Sequence, residues 1–233
     1  MERADHQYRE KVIMKKLLIS FILILGLVIA SSTASGLALQ SAGAIDDAQT
    51  VLETLIEMNE LYAASGKNEG DISRARREDT AVNGQSPYAV IITCSDSRVS
   101  PEHIFGAGIG ELFVIRIAGN VIDDHALGSV EYGAEHLHAK AVLVLGHTGC
   151  GAVGAALTGS AHGYIKTITD EISSGLSQGI SAEQAEILNV FSSVERIRES
   201  EIMRSLEADG SVVIQGALYD TFSGQVEYIG EQY

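Results

Sequence analysis

The two cysteines of this chain each follow an apolar run, and each lies beside a residue type that binds metal ions. Asp96 comes two positions after Cys94, and His147 comes three positions before Cys150. Thiolate, imidazole and carboxylate are the groups that bind Zn²⁺ in proteins, usually in a tetrahedral arrangement. These four residues therefore predict one zinc ion, with the fourth position taken by Asp96 or by water.

A ligand that can leave the metal separates a catalytic zinc site from a structural one. Arg98 lies two residues beyond Asp96, and its guanidinium group can hold both carboxylate oxygens away from the metal. Zinc lowers the pKa of bound water, so hydroxide in the vacated position is the expected nucleophile. We predict activity that rises with pH, because low pH protonates this hydroxide and lets Asp96 close the site.

Other interpretations of the two cysteines are a disulfide and a structural zinc ion. An exported chain with two cysteines would ordinarily form a disulfide. However, a disulfide requires neither an aspartate near one sulfur nor a histidine near the other, whereas a metal site uses both. The neighbouring residues therefore favour the metal site.

Short apolar runs rich in β-branched residues predict the strands that carry these motifs. Three of them are typical of strands buried on both faces of a parallel sheet: residues 88–93, 111–117 and 139–146. Helical sequence alternates with them, at residues 48–64, 126–138, 151–157, 165–174 and 182–207. A run at 211–219, a turn at 220–224 and a run at 225–229 predict a closing hairpin.

These elements predict an α/β fold with a mainly parallel central sheet of about four strands, one antiparallel edge strand and helices on both faces. Ligands of such sheets bind beyond the carboxyl ends of the strands. Both cysteine motifs lie just past such ends, so we expect the fold to bring them together. The acidic helical segment at 183–201 is interpreted as a solvated face.

The N-terminus differs from the rest of the chain. Lys15 and Lys16 precede a mostly apolar stretch at 17–30, and small residues follow it. This pattern predicts a secretory signal peptide at 1–34. The apolar stretch is shorter than the about 20 residues that are needed to span a bilayer, which favours a signal peptide over a membrane span. An uncleaved membrane anchor is the alternative, and Met14 is an alternative start. A linker at 35–47 and a catalytic domain at 48–233 complete the predicted organisation. The catalytic domain is predicted to be exported, to the periplasm, the cell exterior or the cell surface.

The net charge of −15, from 16 basic and 31 acidic residues, excludes sequence-independent electrostatic binding to nucleic acid phosphates. Contact with a membrane is expected only through the N-terminal segment, if it stays uncleaved.

The two motifs closely resemble the signatures of the β-class carbonic anhydrases, with Cys-Ser-Asp-Ser-Arg-Val-Ser-Pro-Glu at 94–102 and Gly-His-Thr-Gly-Cys-Gly-Ala-Val at 146–153. Blocks at 110–116, 118–120, 129–132 and 216–220 are also similar, so the resemblance covers about residues 48–229. It implies reversible, zinc-dependent hydration of CO₂ to bicarbonate and a proton. One Zn²⁺ per subunit would lie on Cys94, His147 and Cys150, with Asp96 either on zinc or paired with Arg98.

The resemblance also implies a substrate pocket and an oligomer. Gln85 matches a glutamine that donates a hydrogen bond to substrate, and Phe113, Ala118 and Tyr132 match positions that line an apolar CO₂ pocket, some of them supplied by a partner subunit. Gly151 completes the candidate substrate-binding residues. A homodimer or higher homo-oligomer follows, with the N-terminal helix packing on a partner subunit.

Two positions depart from the family pattern. Ile117 stands where the family often has asparagine, which removes a polar group near the site. Ile91 stands where members inhibited by bicarbonate have tryptophan, so no such inhibition is expected. Two alternative functions remain: hydrolysis of carbonyl sulfide or carbon disulfide on the same zinc site, and a non-catalytic structural zinc-binding module.

Overall fold

The computed structural model describes residues 47–177 and 179–230. The predicted signal segment and residues 35–46 of the predicted linker lie outside this part of the chain. None of the helices in the described residues is long and apolar enough to cross a bilayer.

Eight α-helices and five strands follow one another within the described residues. The helices are α1 Ala48–Ser65, α2 Arg74–Asn83, α3 Pro101–Ile104, α4 Asp124–Glu131, α5 Gly151–Thr158, α6 Ile165–Ser174, α7 Ala182–Arg198 and α8 Glu201–Ala208. The strands are β1 Ala89–Thr93, β2 Leu112–Arg116, β3 Ala141–His147, β4 Val213–Tyr219 and β5 Val226–Tyr228. A 3₁₀ turn at Ala118–Asn120 follows β2, and a π-helical turn at Tyr132–His136 follows α4.

The strands form one sheet in the order β2-β1-β3-β4-β5. The first four are mutually parallel, and β5 runs antiparallel to β4 at the edge. The predicted α/β fold class is therefore confirmed. Because the chain leaves β1 toward β2 but leaves β3 toward β4, neighbouring connections diverge between β1 and β3, which is where parallel sheets bind ligands.

The apolar runs are continuous because both faces of the sheet are covered. Alternate residues of β1 and β3 point to opposite faces. Ile92 and Val144 pack in the cluster that includes Val190 and Val194 of α7, whereas Ile91 and Leu143 pack in the cluster that includes Leu55 of α1. Each strand thus contributes to two separate cores, and the carboxyl ends of β1 and β3 are firmly held between them.

Helix α1 packs on the sheet of its own chain. Asp47 caps its first turn by accepting a hydrogen bond from the Thr50 backbone N–H, and Gly66 ends it in the left-handed conformation. Its buried residues include Val51, Leu52 and Leu55. The predicted packing of this helix on a partner subunit stays a prediction.

Two predicted helical segments have different bounds in the structure. The segment at 182–207 is broken after Arg198, because Ser200 takes the N-cap position of α8 and accepts a hydrogen bond from the Met203 N–H. The segment at 126–138 begins earlier, where Asp123 caps α4, and it continues into the π-helical turn.

Candidate metal centre

The carboxyl ends of β1 and β3 deliver three ligand groups to one point. Cys94 follows β1 directly, His147 is the last residue of β3, and Cys150 lies at the start of α5. One ligand atom from each of the three lies within 4.8 Å of the other two. All three residues are buried, so the groups face one another rather than solvent.

The imidazole of His147 is oriented for metal binding. Its Nδ1 lies 3.0 Å from the Thr148 carbonyl oxygen. Because a carbonyl only accepts, Nδ1 carries the proton and Nε2 presents a lone pair. Among the described side chains, Nε2 is the buried nitrogen or oxygen atom that has no hydrogen-bond partner. A buried unpaired acceptor is costly, so this atom fits a metal ligand.

The surroundings of His147 also favour positive charge. Burial disfavours the imidazolium, but the Cys94 sulfur, the Thr148 carbonyl and the Asp96 carboxylate outweigh it, and the net result is a raised pKa for His147. A site that attracts a proton in this way suits a divalent cation. The residues present therefore fit the zinc ion that their chemistry predicts.

The sulfur of Cys94 is surrounded by donors. The backbone N–H groups of Gly119 and Asp96 donate to it at 3.2 and 3.4 Å. A hydrogen bond from the Cys150 thiol, together with these donors, lowers the pKa of Cys94. The same hydrogen bond raises the pKa of Cys150. Both cysteines are free, and the donors stabilise the thiolate that binds zinc.

Asp96 is paired with Arg98 beside this cluster. Arg98 Nε donates to Asp96 Oδ1 at 3.0 Å, and the Arg98 NH2 group donates to Oδ2 at 2.8 Å. The same NH2 group reaches the Gly149 carbonyl at 3.1 Å, so Arg98 joins the two cysteine motifs. These hydrogen bonds hold the pKa of Asp96 well below its usual range. Asp96 Oδ2 lies 3.9 Å from His147 Nε2, close to the cluster.

Two further side chains hold the backbone around the ligands, and the sequence interpretation missed both roles. Arg116, at the end of β2, donates to the carbonyl oxygens of Cys94 and Asp96 at 3.3 and 2.7 Å. Glu186 of α7 accepts a hydrogen bond from the Cys150 N–H at 3.0 Å.

The interpretation of residues 183–201 as a solvated face is wrong for Glu186, which is buried. Its spacing from the buried Asn189, Val190 and Ser193 on the same helix was the available signal, because residues three, four and seven apart share a helical face.

The candidate substrate-binding residues fall into two groups. Ala118 lies in the turn next to Cys94, and Gly151 directly follows Cys150, so both adjoin the cluster. The other three lie toward the amino edge of the sheet. Gln85 precedes β1 and neighbours Gly110, Phe113 pairs in register with Val90, and the ring centroids of Phe113 and Tyr132 lie 6.0 Å apart.

About 16 Å of extended chain separates the start of β1 from Cys94, given a rise of about 3.3 Å per residue. Tyr132 is half exposed, and its ring stacks on that of His136 at a centroid distance of 4.9 Å. Within one chain, Gln85, Phe113 and Tyr132 are thus not brought to the cluster.

This arrangement defines a class of protein: an α/β enzyme with a mononuclear zinc centre at the switch point of a parallel sheet. Two thiolates and one imidazole leave a fourth position, and the carboxylate nearest to it is held by an arginine. Such a centre is suited to making water nucleophilic.

Comparisons with known proteins agree with this class. Residues 89–226 match the carbonic anhydrase family. Carbonic anhydrase 2 of Mycobacterium tuberculosis is 36% identical over 186 residues, which cover 74% of this chain and 88% of that protein. A carbonic anhydrase of Mycolicibacterium smegmatis is 36% identical over 163 residues, covering 65% and 79%. The solved structure of a Coccomyxa β-carbonic anhydrase in complex with acetazolamide superposes with a TM-score of 0.60 at 28% identity, covering 78% of this chain and 86% of that one.

The chain belongs to the carbonic anhydrase family, in its β class. It is an enzyme for the zinc-dependent, reversible hydration of CO₂ to bicarbonate and a proton, and zinc is its cofactor.

Proposed function

We propose that this carbonic anhydrase works outside the cytoplasm, with Asp96 held away from the metal by Arg98. The observation that carries the proposal is the two-point hydrogen bond between the Arg98 guanidinium and the Asp96 carboxylate, next to a buried imidazole nitrogen without a partner. If Asp96 were a permanent ligand, its carboxylate oxygens would face the cluster rather than Arg98. The pairing therefore supports a catalytic rather than a structural centre.

When bound, zinc would act as a Lewis acid that makes water nucleophilic at neutral pH. Cys94, His147 and Cys150 hold the ion, and the donors around the Cys94 sulfur keep it in the thiolate form. Arg98 keeps Asp96 ionised and holds both of its carboxylate oxygens in hydrogen bonds. Ala118 and Gly151 contribute small groups beside the cluster, which leave room for a small linear substrate.

The homo-oligomer is part of the proposal because of where the remaining candidate residues lie. Gln85, Phe113 and Tyr132 are near the amino edge of the sheet, and the metal cluster is at the carboxyl edge. If these residues contact substrate, a second copy of the chain must supply them. We therefore propose at least a homodimer, with each active site completed across the interface.

Export through the signal peptide at 1–34 is the proposal for localisation. Expression of the full chain, followed by cell fractionation and mass determination of the mature protein, tests it. Recovery outside the cytoplasm with a mass that corresponds to cleavage near Ala34 supports export. Recovery of the full-length chain in the membrane fraction supports the anchor instead, and full-length chain in the cytosol overturns both.

Metal analysis combined with CO₂ hydration assays tests the site. The purified protein is expected to hold one zinc ion per subunit, to lose activity with chelator and to regain it with zinc. Full activity in a metal-free sample would overturn the zinc mechanism. X-ray absorption at high pH separates the catalytic centre from the structural alternative, in which a carboxylate stays on the metal together with two sulfurs and one nitrogen.

A further inference from the structure

Helix α7 carries a stripe of buried polar side chains on the face that packs against the backbone around the metal centre. Glu186, Asn189 and Ser193 are spaced three and four residues apart, so they share one face of the helix. Their exposed fractions are 6%, 2% and 4%. Buried polar groups on a helix that otherwise packs through Val190 and Val194 require a specific reason, because an apolar side chain would pack there at lower cost.

Each member of this stripe hydrogen-bonds to the backbone near one of the two cysteines. Glu186 Oε1 accepts from the Cys150 N–H at 3.0 Å. The Asn189 side-chain amide donates to the Gly119 carbonyl at 2.7 Å. The Ser193 hydroxyl donates to the Asn120 carbonyl at 2.9 Å. One helix thereby holds the backbone of Cys150 and the turn whose N–H donates to the Cys94 sulfur.

The turn that Asn189 and Ser193 hold is conformationally unusual. Gly119 and Asn120 have φ values of +68° and +48°, in the left-handed region that most residues other than glycine and asparagine avoid. This conformation directs the Gly119 N–H at the Cys94 sulfur, 3.2 Å away. The contacts from α7 hold the carbonyl groups of Gly119 and Asn120, and thereby restrain the turn that presents this N–H to the sulfur.

We propose that the buried polar stripe of α7 positions the two cysteine ligands of the metal centre, Asn189 through the Gly119 N–H on the Cys94 sulfur and Glu186 through the backbone of Cys150. Glu186 and Asn189 are positioning residues, because neither touches the metal or the substrate. Groups that orient metal ligands in this way typically change metal affinity by 10- to 100-fold when they are removed. The inference rests on the zinc site of Cys94, His147 and Cys150.

The Glu186 arm is tested with two variants of similar size. Glu186→Gln keeps an oxygen that accepts the Cys150 N–H, whereas Glu186→Met fills the space without an acceptor. Zinc affinity is measured by competition with a chromophoric chelator on protein whose folding has been checked by circular dichroism. The dissociation constant is expected to rise about 10- to 100-fold in Glu186→Met and to stay near the parent value in Glu186→Gln.

The Asn189 arm is tested with Asn189→Ala and with cobalt in place of zinc. Loss of the N–H contact on the Cys94 sulfur is expected to shift the thiolate-to-cobalt charge-transfer band, in addition to weakening zinc binding about 10- to 100-fold. Val194→Ala is the matched control, since it also removes buried volume from α7 but Val194 packs in an apolar cluster that contains neither cysteine. It is expected to lower stability while leaving the zinc affinity and the cobalt band unchanged.

Failure of this inference is distinct from failure of the metal site. If the parent chain binds no zinc, the zinc site itself is wrong. If the parent binds zinc and Glu186→Met and Asn189→Ala bind it as tightly as Val194→Ala does, the stripe does not position the ligands. Should Asn189→Ala not fold, the comparison of Glu186→Met with Glu186→Gln decides alone, and equal zinc affinities in that pair overturn the proposal.

Discussion

The two edges of the parallel sheet differ in how much of an active site each one holds. At the carboxyl edge, the three metal ligands converge, and hydrogen bonds tie the segments around them to β2, α7 and each other. At the amino edge, Gln85 and Tyr132 are exposed and lie far from that cluster. The metal-binding half of the site is thus complete within one chain, whereas our proposal assigns Gln85, Phe113 and Tyr132 to the active site of a second copy.

The largest effect is expected from removing a metal ligand. His147→Ala deletes the imidazole nitrogen that faces the two thiols, so zinc should no longer be held and CO₂ hydration should fall close to the uncatalysed rate. Enzymes generally supply rate accelerations of at least about 10⁶-fold, so the loss is expected to be near complete. Bound zinc and hydration rate are measured together, and substantial activity in a zinc-free variant would contradict the assignment of the carboxyl edge.

The pair of Asp96 and Arg98 gives the next largest effect. Arg98→Leu releases the carboxylate, which is then free to occupy the open position of the metal, and hydration is expected to fall by about 10- to 100-fold while zinc stays bound. Arg98→Lys keeps the charge but not the two-point geometry, so partial activity is expected. Stopped-flow hydration assays with zinc content measured in parallel check both, and unchanged activity in Arg98→Leu would show that Asp96 needs no restraint.

A mixing experiment tests the division between the two edges. Gln85→Ala is expected to lower hydration by roughly 10-fold, the cost of losing one hydrogen bond of about 1.5 kcal/mol, and to leave zinc binding unchanged. Co-expression of Gln85→Ala with His147→Ala subunits should then give mixed dimers with one site that contains both intact residues. Activity that exceeds the sum of the two separate variants supports shared sites, and strictly additive activity places Gln85 outside the partner's site.

The smallest effect concerns acid stability at the carboxyl edge. Asp220, in the turn after β4, accepts hydrogen bonds from the Phe222 and Ser223 N–H groups, and these lower its pKa. A lowered pKa gives stability that is present above the unfolded value, about 3.9, and lost as the pH falls through the folded value. Asp220→Asn should therefore differ from the parent at neutral pH and converge with it in acid. Thermal unfolding at several pH values measures this, and a constant difference would refute it.

The metal cluster was predictable from sequence because the two features that indicate it, ligand residue types and their position after strands, can be read from short segments. Ligand chemistry is fixed by residue type, and the apolar runs before Cys94 and before His147 show that both motifs follow strands. The same reasoning gave the five-stranded sheet and its antiparallel edge. It did not give the break between α7 and α8, because the Ser200 cap competes with helical propensity that continues on both sides.

The supporting contacts escaped prediction because they join distant segments. Arg116 reaches Cys94 and Asp96 from the neighbouring strand β2, and Glu186 reaches Cys150 from α7. An acidic residue in a charged helix is expected in solvent, and only the packing of α7 on the sheet buries this one. For Gln85 and Tyr132, the family resemblance implied a role in substrate binding, but no pattern within the chain indicates which subunit's active site they contribute to.

The tight turn after β2 also limits how this enzyme can be redesigned. A β-carbon at Gly119 would lie 2.7 Å from the Ile172 side chain and 3.1 Å from that of Ala152, in a backbone conformation that already disfavours other residues. A mutant library that randomises this position is expected to yield glycine alone among active clones. Engineering for heat tolerance should accordingly leave this turn intact and seek its gains on the exposed faces of α2 and α6.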